Sequence, residues 1–206
     1  MNVVKIFRQL YKQHGPQGWW PITTRQVDQN HHLFEICLGA ILTQNTAWTN
    51  VEKAIKCLLE ANLMSAKAIA HCPTAKLQKC IRSSGYYKQK TKKLKIFAAW
   101  LIKNYHGDLR VFFQKPLIPA REELLSLWGI GPETADSILL YAGQKPIFVI
   151  DAYTKRLCRQ YGVEFKTYDE YQKFFETRLR AGIRGRTKIK LYNEYHALIV
   201  KWGKLN

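Results

Sequence analysis

The chain has 206 residues, 47% of them hydrophobic, enough to bury the core of one domain or of two small lobes. Lysine and arginine total 33 against 15 acidic residues, a formal net charge of +18 that favours a polyanionic partner over an acidic or neutral one. No apolar run is long enough to span a bilayer, no signal peptide is recognisable, and five scattered cysteines without a C-x-x-C pair argue against a disulfide scaffold, so a cytosolic protein is expected.

In chain order, Val3, Val4, Ile6, Phe7 and Leu10 alternate with Lys5, Arg8 and Gln9, which predicts an amphipathic helix over 2–13. A break at His14-Gly15-Pro16-Gln17-Gly18 leads to adjacent tryptophans in Trp19-Trp20-Pro21, which either pack a junction or stack on a ligand. Leu33 to Leu42 is apolar nearly all round and predicts a central buried helix over 31–43. Helices are predicted at 46–61, 65–70, 74–82, 87–105, 108–114, 121–128, 134–143, 152–161, 168–181 and 187–203. Further breaks fall at Lys115-Pro116-Leu117-Ile118-Pro119 and Gly143-Gln144-Lys145-Pro146. Only Ile147 to Ile150 reads as extended, too short for a sheet, so the fold class is all-α.

The positive charge is uneven. Between Glu60 and Asp108 there is no acid, while Lys67, Lys76, Lys79, Arg82, Lys88, Lys90, Lys92, Lys93, Lys95 and Lys103 occur. A second acid-free interval, Glu176 to Glu194, holds Arg178, Arg180, Arg184, Arg186, Lys188 and Lys190. Any one lysine can be a solvated helix face; the pattern fits a nucleic-acid footprint, and neither interval offers the Trp/Phe/Leu face that membrane binding needs.

At Leu127-Trp128-Gly129-Ile130-Gly131-Pro132-Glu133-Thr134-Ala135-Asp136, two glycines flank one apolar residue where two helical periodicities meet. So short a hairpin needs glycine for unusual dihedrals and for close backbone approach, and the second helix would aim its free N–H groups at a phosphate. Asp151 ends the apolar run Ile147-Phe148-Val149-Ile150 and immediately precedes a helix. It is a helix N-cap, a half-desolvated catalytic carboxylate, or both.

These residues, with Leu42-Thr43-Gln44-Asn45-Thr46 and Ser84-Gly85-Tyr86-Tyr87-Lys88-Gln89-Lys90, resemble the helix-hairpin-helix (HhH-GPD) superfamily of DNA glycosylases, the endonuclease III relatives. The resemblance implies a two-lobed fold with an active cleft between the lobes. Residues 1–29 would form an arm packing on a C-terminal lobe of 144–206 that carries the catalytic Asp, and 30–143 a helical lobe with the hairpin. It implies a monomer acting on double-stranded DNA with a damaged base, and so associated with the nucleoid. Asp151 would be catalytic. Gln44, Tyr86, Lys88, Lys90, Gly129, Ile130, Gly131 and Thr134 would contact DNA, with Gln44 and Tyr86 filling the gap left by a flipped nucleotide. Gln44 could equally be a loop-capping amide.

Relatives that also cut the strand carry a lysine where this chain has Glu133, which has no amine to form a Schiff base, so water is the expected nucleophile. Many relatives bind an iron–sulfur cluster through four closely spaced cysteines after their last helix. None follows Cys158, so no cluster is expected, nor any catalytic metal, although the family's hairpin can hold a monovalent cation. Together with Trp19-Trp20-Pro21 and the ending Leu191-Tyr192-Asn193-Glu194-Tyr195-His196, these features resemble the 3-methyladenine DNA glycosylase III branch. In that branch Trp19, Trp20, Pro21 and Trp48 would line the base pocket; Leu198 stands where a pocket lysine occurs. The rival functions are an adenine-mispair or uracil/thymine-mismatch glycosylase, and a DNA-binding module that does not cleave.

Overall fold

The computed structural model describes residues 1–21, 28–179 and 187–206. Twelve α-helices are seen among the described residues, with no strand among them. They fall into two compact units, Ile22–Gly143 and Met1–Pro21 joined with Gln144–Asn206.

In the Ile22–Gly143 unit, α2 (Gln29–Leu42) starts at Asp28, whose carboxylate accepts from the amides of Asn30 (2.8 Å) and His31 (3.2 Å). From Phe34 to Leu42 every residue of α2 is buried, as its all-round apolar character requires. It packs on α3 (Trp48–Glu60), α6 (Tyr87–Tyr105), α7 (Leu109–Phe112) and α9 (Pro132–Ser137). Each fully buried Leu, Ile or Phe here contributes about 1.5–3 kcal/mol. Asn30 staples the start of α2 to α7, accepting from Leu109 N at 2.9 Å and donating to Gly107 O at 3.1 Å. The short α4 (Ala66–His71) and α5 (Thr74–Cys80) cover α6.

Two helix starts differ from the periodicity. The helix predicted over 121–128 is α8 (Leu117–Leu125), with Pro116 at its N-cap and Pro119 as its third residue. First-turn amides have no partner within the helix, so proline is tolerated there and does not act as a breaker. Likewise α9 begins at Pro132, at N1, and ends in a π turn over Ile138–Ala142.

In the other unit, α1 (Val3–His14) buries Val3, Ile6, Phe7 and Leu10 on α11 (Tyr168–Leu179) and α12 (Lys188–Leu205). The Tyr195 hydroxyl donates to Val3 O at 2.9 Å. Residues 180–186, including Arg180, Arg184 and Arg186 of the second basic interval, lie outside the described residues. The extended run Ile147–Ile150 is wholly buried, so its backbone polar groups need partners. One face of α11 provides them in place of a neighbouring strand. Glu176 Oε1 accepts Phe148 N (2.9 Å), Gln172 Nε2 donates to Phe148 O (2.8 Å), and the Tyr168 hydroxyl accepts Ile150 N (3.2 Å). These side chains recur every four residues and so share a face. Phe148 stacks on Phe175 at 4.6 Å to complete the layer, and the chain then delivers Asp151 to the start of α10 (Ala152–Gln160).

Candidate active site and nucleic-acid interface

The hairpin divides its two glycine roles. Gly129 has φ +86°, a left-handed conformation, and a Cβ there would meet the Lys93 side chain at 2.6–2.8 Å. Gly131 has an ordinary φ of −95° and open space where a Cβ would stand, so its missing side chain serves approach from outside. It also has no side chain to cap the first-turn amides of α9, which lack partners within the helix. Ile130, expected to contact DNA, is instead buried at 5% exposure, and its N–H donates to Leu127 O at 3.1 Å. It plugs the hairpin into the core. Trp128 is 49% exposed, with Lys92 Nζ 4.2 Å above its ring.

Gln44 turns onto this hairpin. Its Nε2 donates to Gly129 O at 3.1 Å and to Thr134 Oγ1 at 2.9 Å, while its Oε1 accepts from Lys93 Nζ. The amide caps a loop, and entering a duplex would require it to leave three partners. The side chain of Thr134, expected at the DNA, is buried and serves Gln44. Lys90 is a correction too: it is 2% exposed and its ammonium donates to Leu42 O (2.8 Å) and Ser84 O (2.6 Å), so it offers no charge to a phosphate. Burial, reinforced by the neighbouring Lys93 charge, lowers it to about 8. Lys88 is exposed. Tyr86 stands 65% exposed at the N-cap of α6 with φ +44° and ψ 32°, a left-handed conformation unusual for a bulky residue, directly after Gly85 at φ +68°. Trp48 opens α3, half-buried, with its indole N–H on Glu52 at 3.0 Å.

In the other unit Asp151 is both N-cap and buried acid. Its Oδ1 accepts Thr154 N (2.7 Å) and the Thr154 hydroxyl (2.8 Å), and its Oδ2 lies 3.5 Å from His196 Nε2. Burial pushes the carboxyl up, but His196 and the two Thr154 hydrogen bonds outweigh it and hold the group below the usual carboxylate value. The Trp19 ring meets the His196 ring edge-on at 6.1 Å and the Trp20 ring at the same distance. Trp19, Trp20 and Pro21 are each partly exposed. Glu194, itself buried, accepts Gln17 N at 2.7 Å and so ties the arm before the tryptophans to α12. Leu198 is fully buried. Lys145 is partly exposed, and Lys155 Nζ sits 5.8 Å over the Tyr171 ring.

The sequence reading missed His196, Thr154, Glu194 and Lys93. His196 sits in the stripe Ile189, Tyr192, His196, Ile199, where a titratable residue on an apolar face was the available signal. Thr154, three residues after an aspartate N-cap, was legible by capping rules; Lys93 carried no signal apart from its lysine neighbours. Among the described residues no three His, Cys, Asp or Glu side chains cluster as a metal site, and no helix is long and apolar enough to cross a membrane.

Residues 38–181 match the family model for HhH-GPD superfamily base excision DNA repair proteins. A Methanocaldococcus jannaschii protein named as a DNA repair glycosylase is 41% identical over 205 residues, covering 98% of this chain and 87% of that protein. Endonuclease III of Thermotoga maritima is 29% identical over 66% of this chain and 61% of its own length. The solved structure of Helicobacter pylori 3-methyladenine DNA glycosylase (MagIII) bound to 1,N6-ethenoadenine superposes with a TM-score of 0.85 at 31% identity, covering 100% of this chain and 98% of that one.

Proposed function

Because the chain belongs to the HhH-GPD superfamily of base excision DNA repair proteins, we propose that it is a monofunctional DNA glycosylase that releases N-alkylated purines such as 3-methyladenine from double-stranded DNA. The observation that carries this reading is Asp151: a buried carboxylate kept ionised by Thr154 and His196, with Trp19 against that histidine. As the bond from C1′ to the base nitrogen breaks, its electron pair leaves with the base and positive charge develops on the sugar. The Asp151 carboxylate stabilises that charge and takes a proton from the water that attacks C1′. An N-alkylated purine is cationic and departs neutral, so no general acid is needed. The same charge favours stacking on Trp19 and Trp20.

Glu133 is exposed at the start of α9 and has no amine, so no imine forms with the sugar and the strand stays whole at an abasic site. The partner is the DNA duplex, held by the first-turn amides of α9 beside Gly131 and by surface lysines such as Lys88, with Tyr86 wedged into the stack. Water, one carboxylate and a cationic leaving base complete the reaction without a redox or metal centre.

The test is mass spectrometry of bases released from methylated, deaminated and mismatch-bearing DNA, followed by borohydride treatment. Release of 3-methyladenine without a trapped covalent adduct is expected. Release of adenine, uracil or thymine from mispairs alone would move the substrate class, and a trapped adduct would end the monofunctional assignment. Inertness on every DNA would leave a binding module.

A further inference from the structure

Helix α6 sends two lysines inward from its first two turns, and together they reach every turn that the reading above brings to DNA. The Lys90 ammonium joins Leu42 O, at the end of α2 just before the Gln44 loop, to Ser84 O, just before Gly85 and Tyr86. Lys93 holds the Gln44 amide, which in turn holds Gly129 and Thr134 of the hairpin, and the stem of Lys93 fills the space that the missing Cβ of Gly129 leaves. The arrangement is costly. Lys90 is 2% exposed, its named partners are carbonyls and not a carboxylate, and a second ammonium lies near enough to disfavour its charge. A methionine would fill the same volume without desolvating a charge. What methionine cannot do is join the ends of two separate turns through one charged donor.

We propose that Lys90 and Lys93 are positioning residues that fix the Gln44 loop, the Tyr86 turn and the Gly129–Gly131 hairpin in one register, so that gripping the phosphate and opening the base stack occur as a single event. The inference rests on the reading that these three segments meet DNA. It assigns the two lysines to base extrusion, not to bond hydrolysis or to phosphate binding.

The test uses the full chain with Lys90→Met or Lys93→Met. Leu101→Ala, a core change in the same helix, serves as a control for thermal loss. Each protein is mixed with a duplex holding a stable abasic-site analogue opposite fluorescent aminopurine, so the signal does not depend on base release. Wild type and Leu101→Ala should brighten the aminopurine as it is unstacked. The two lysine variants should bind with near-wild-type affinity yet lose most of that rise. Base release from methylated duplex should fall about tenfold or more, for the loss of two charge-assisted hydrogen bonds in Lys90→Met and one in Lys93→Met, while release from the same DNA made single-stranded stays within about twofold. Lysine variants that keep the full rise, a Leu101→Ala control that loses as much, or a wild type that gives no rise would each overturn the proposal. If Lys90→Met does not fold, Lys93→Met, at a less buried position, decides the matter. A wild type that unstacks the base but releases none from any damaged DNA would end the glycosylase reading and leave the positioning roles standing.

Discussion

Beneath the Gln44 loop, the Tyr86 turn and the hairpin, the ammonium groups of Lys90 and Lys93 end on carbonyl and amide oxygens. In the unit of residues 1–21 and 144–206, the charge at the candidate site is a carboxylate ending on an amide, a hydroxyl and an imidazole. The first arrangement spends its donors on the fold itself, so the lysines act only through the turns they hold. The second commits one oxygen, Oδ1, to Thr154 and leaves Oδ2 at 3.5 Å from His196, a looser contact that a reacting sugar can share. Buried charge thus joins turns in one unit and leaves a carboxylate oxygen loosely engaged in the other.

The largest expected effect breaks the carboxylate side. Asp151→Asn keeps the N-cap acceptor but removes the negative charge, and base release should slow by about 10²–10³-fold or more. DNA affinity in a gel-shift titration should hold; near-wild-type turnover would remove Asp151 from the mechanism.

A paired substitution sharpens the surface side. Gly129→Ala forces an L-residue to φ +86° against Lys93 and should cost about 1–3 kcal/mol in denaturant unfolding. Gly131→Ala stands in open space at an ordinary φ and should cost under about 0.5 kcal/mol, while weakening DNA binding by obstructing the phosphate. Equal stability losses would show that the two glycines do not divide their roles.

The next effect is a shift in pH dependence. His196 is among the influences that hold the Asp151 carboxyl below its usual value, so His196→Asn should move the acid limb of the rate profile to higher pH. The direction follows because activity needs the ionised carboxylate. Any stability Asp151 contributes is complete above its unfolded value and is lost as pH falls through the lower folded one. An unmoved limb would reduce His196 to packing.

A further effect reads the lysine side alone. Lys90 titrates near 8 when folded and 10.5 when unfolded, so the cost of its buried charge is fully present below 8 and is relieved as pH rises between those values. Relative to the non-titrating Lys90→Met, wild type should therefore gain about 1–3 kcal/mol between pH 7 and pH 10 in urea melts. A constant difference would mean that the ammonium is not desolvated.

The all-α class and the family were legible because hydrophobic periodicity and the order of four motifs are both local signals. The boundary of α8 was not, because Pro119 reads as a breaker until its first-turn position is known. Asp151 was legible as a helix cap, since an aspartate directly before a helical periodicity is a local capping signal. Lys90 was misread because a lysine in a basic run gives no sign of which way it points. His196 was missed because its partner lies 45 residues away in sequence.

Tyr168, Gln172 and Glu176 have a consequence for how the extended run Ile147–Ile150 tolerates change. A sheet ladder is made by backbone atoms and survives most substitutions on the neighbouring strand, whereas here each main-chain bond at Phe148 and Ile150 belongs to one particular side chain. The amide protons of Phe148 and Ile150 should therefore exchange with solvent whenever those side chains change rotamer, ahead of any unfolding of the surrounding helices. Because Glu176 and Tyr168 each hold one amide, exchange at Phe148 and at Ile150 can be loosened one position at a time, giving two separate probes of how firmly the approach to Asp151 is fixed.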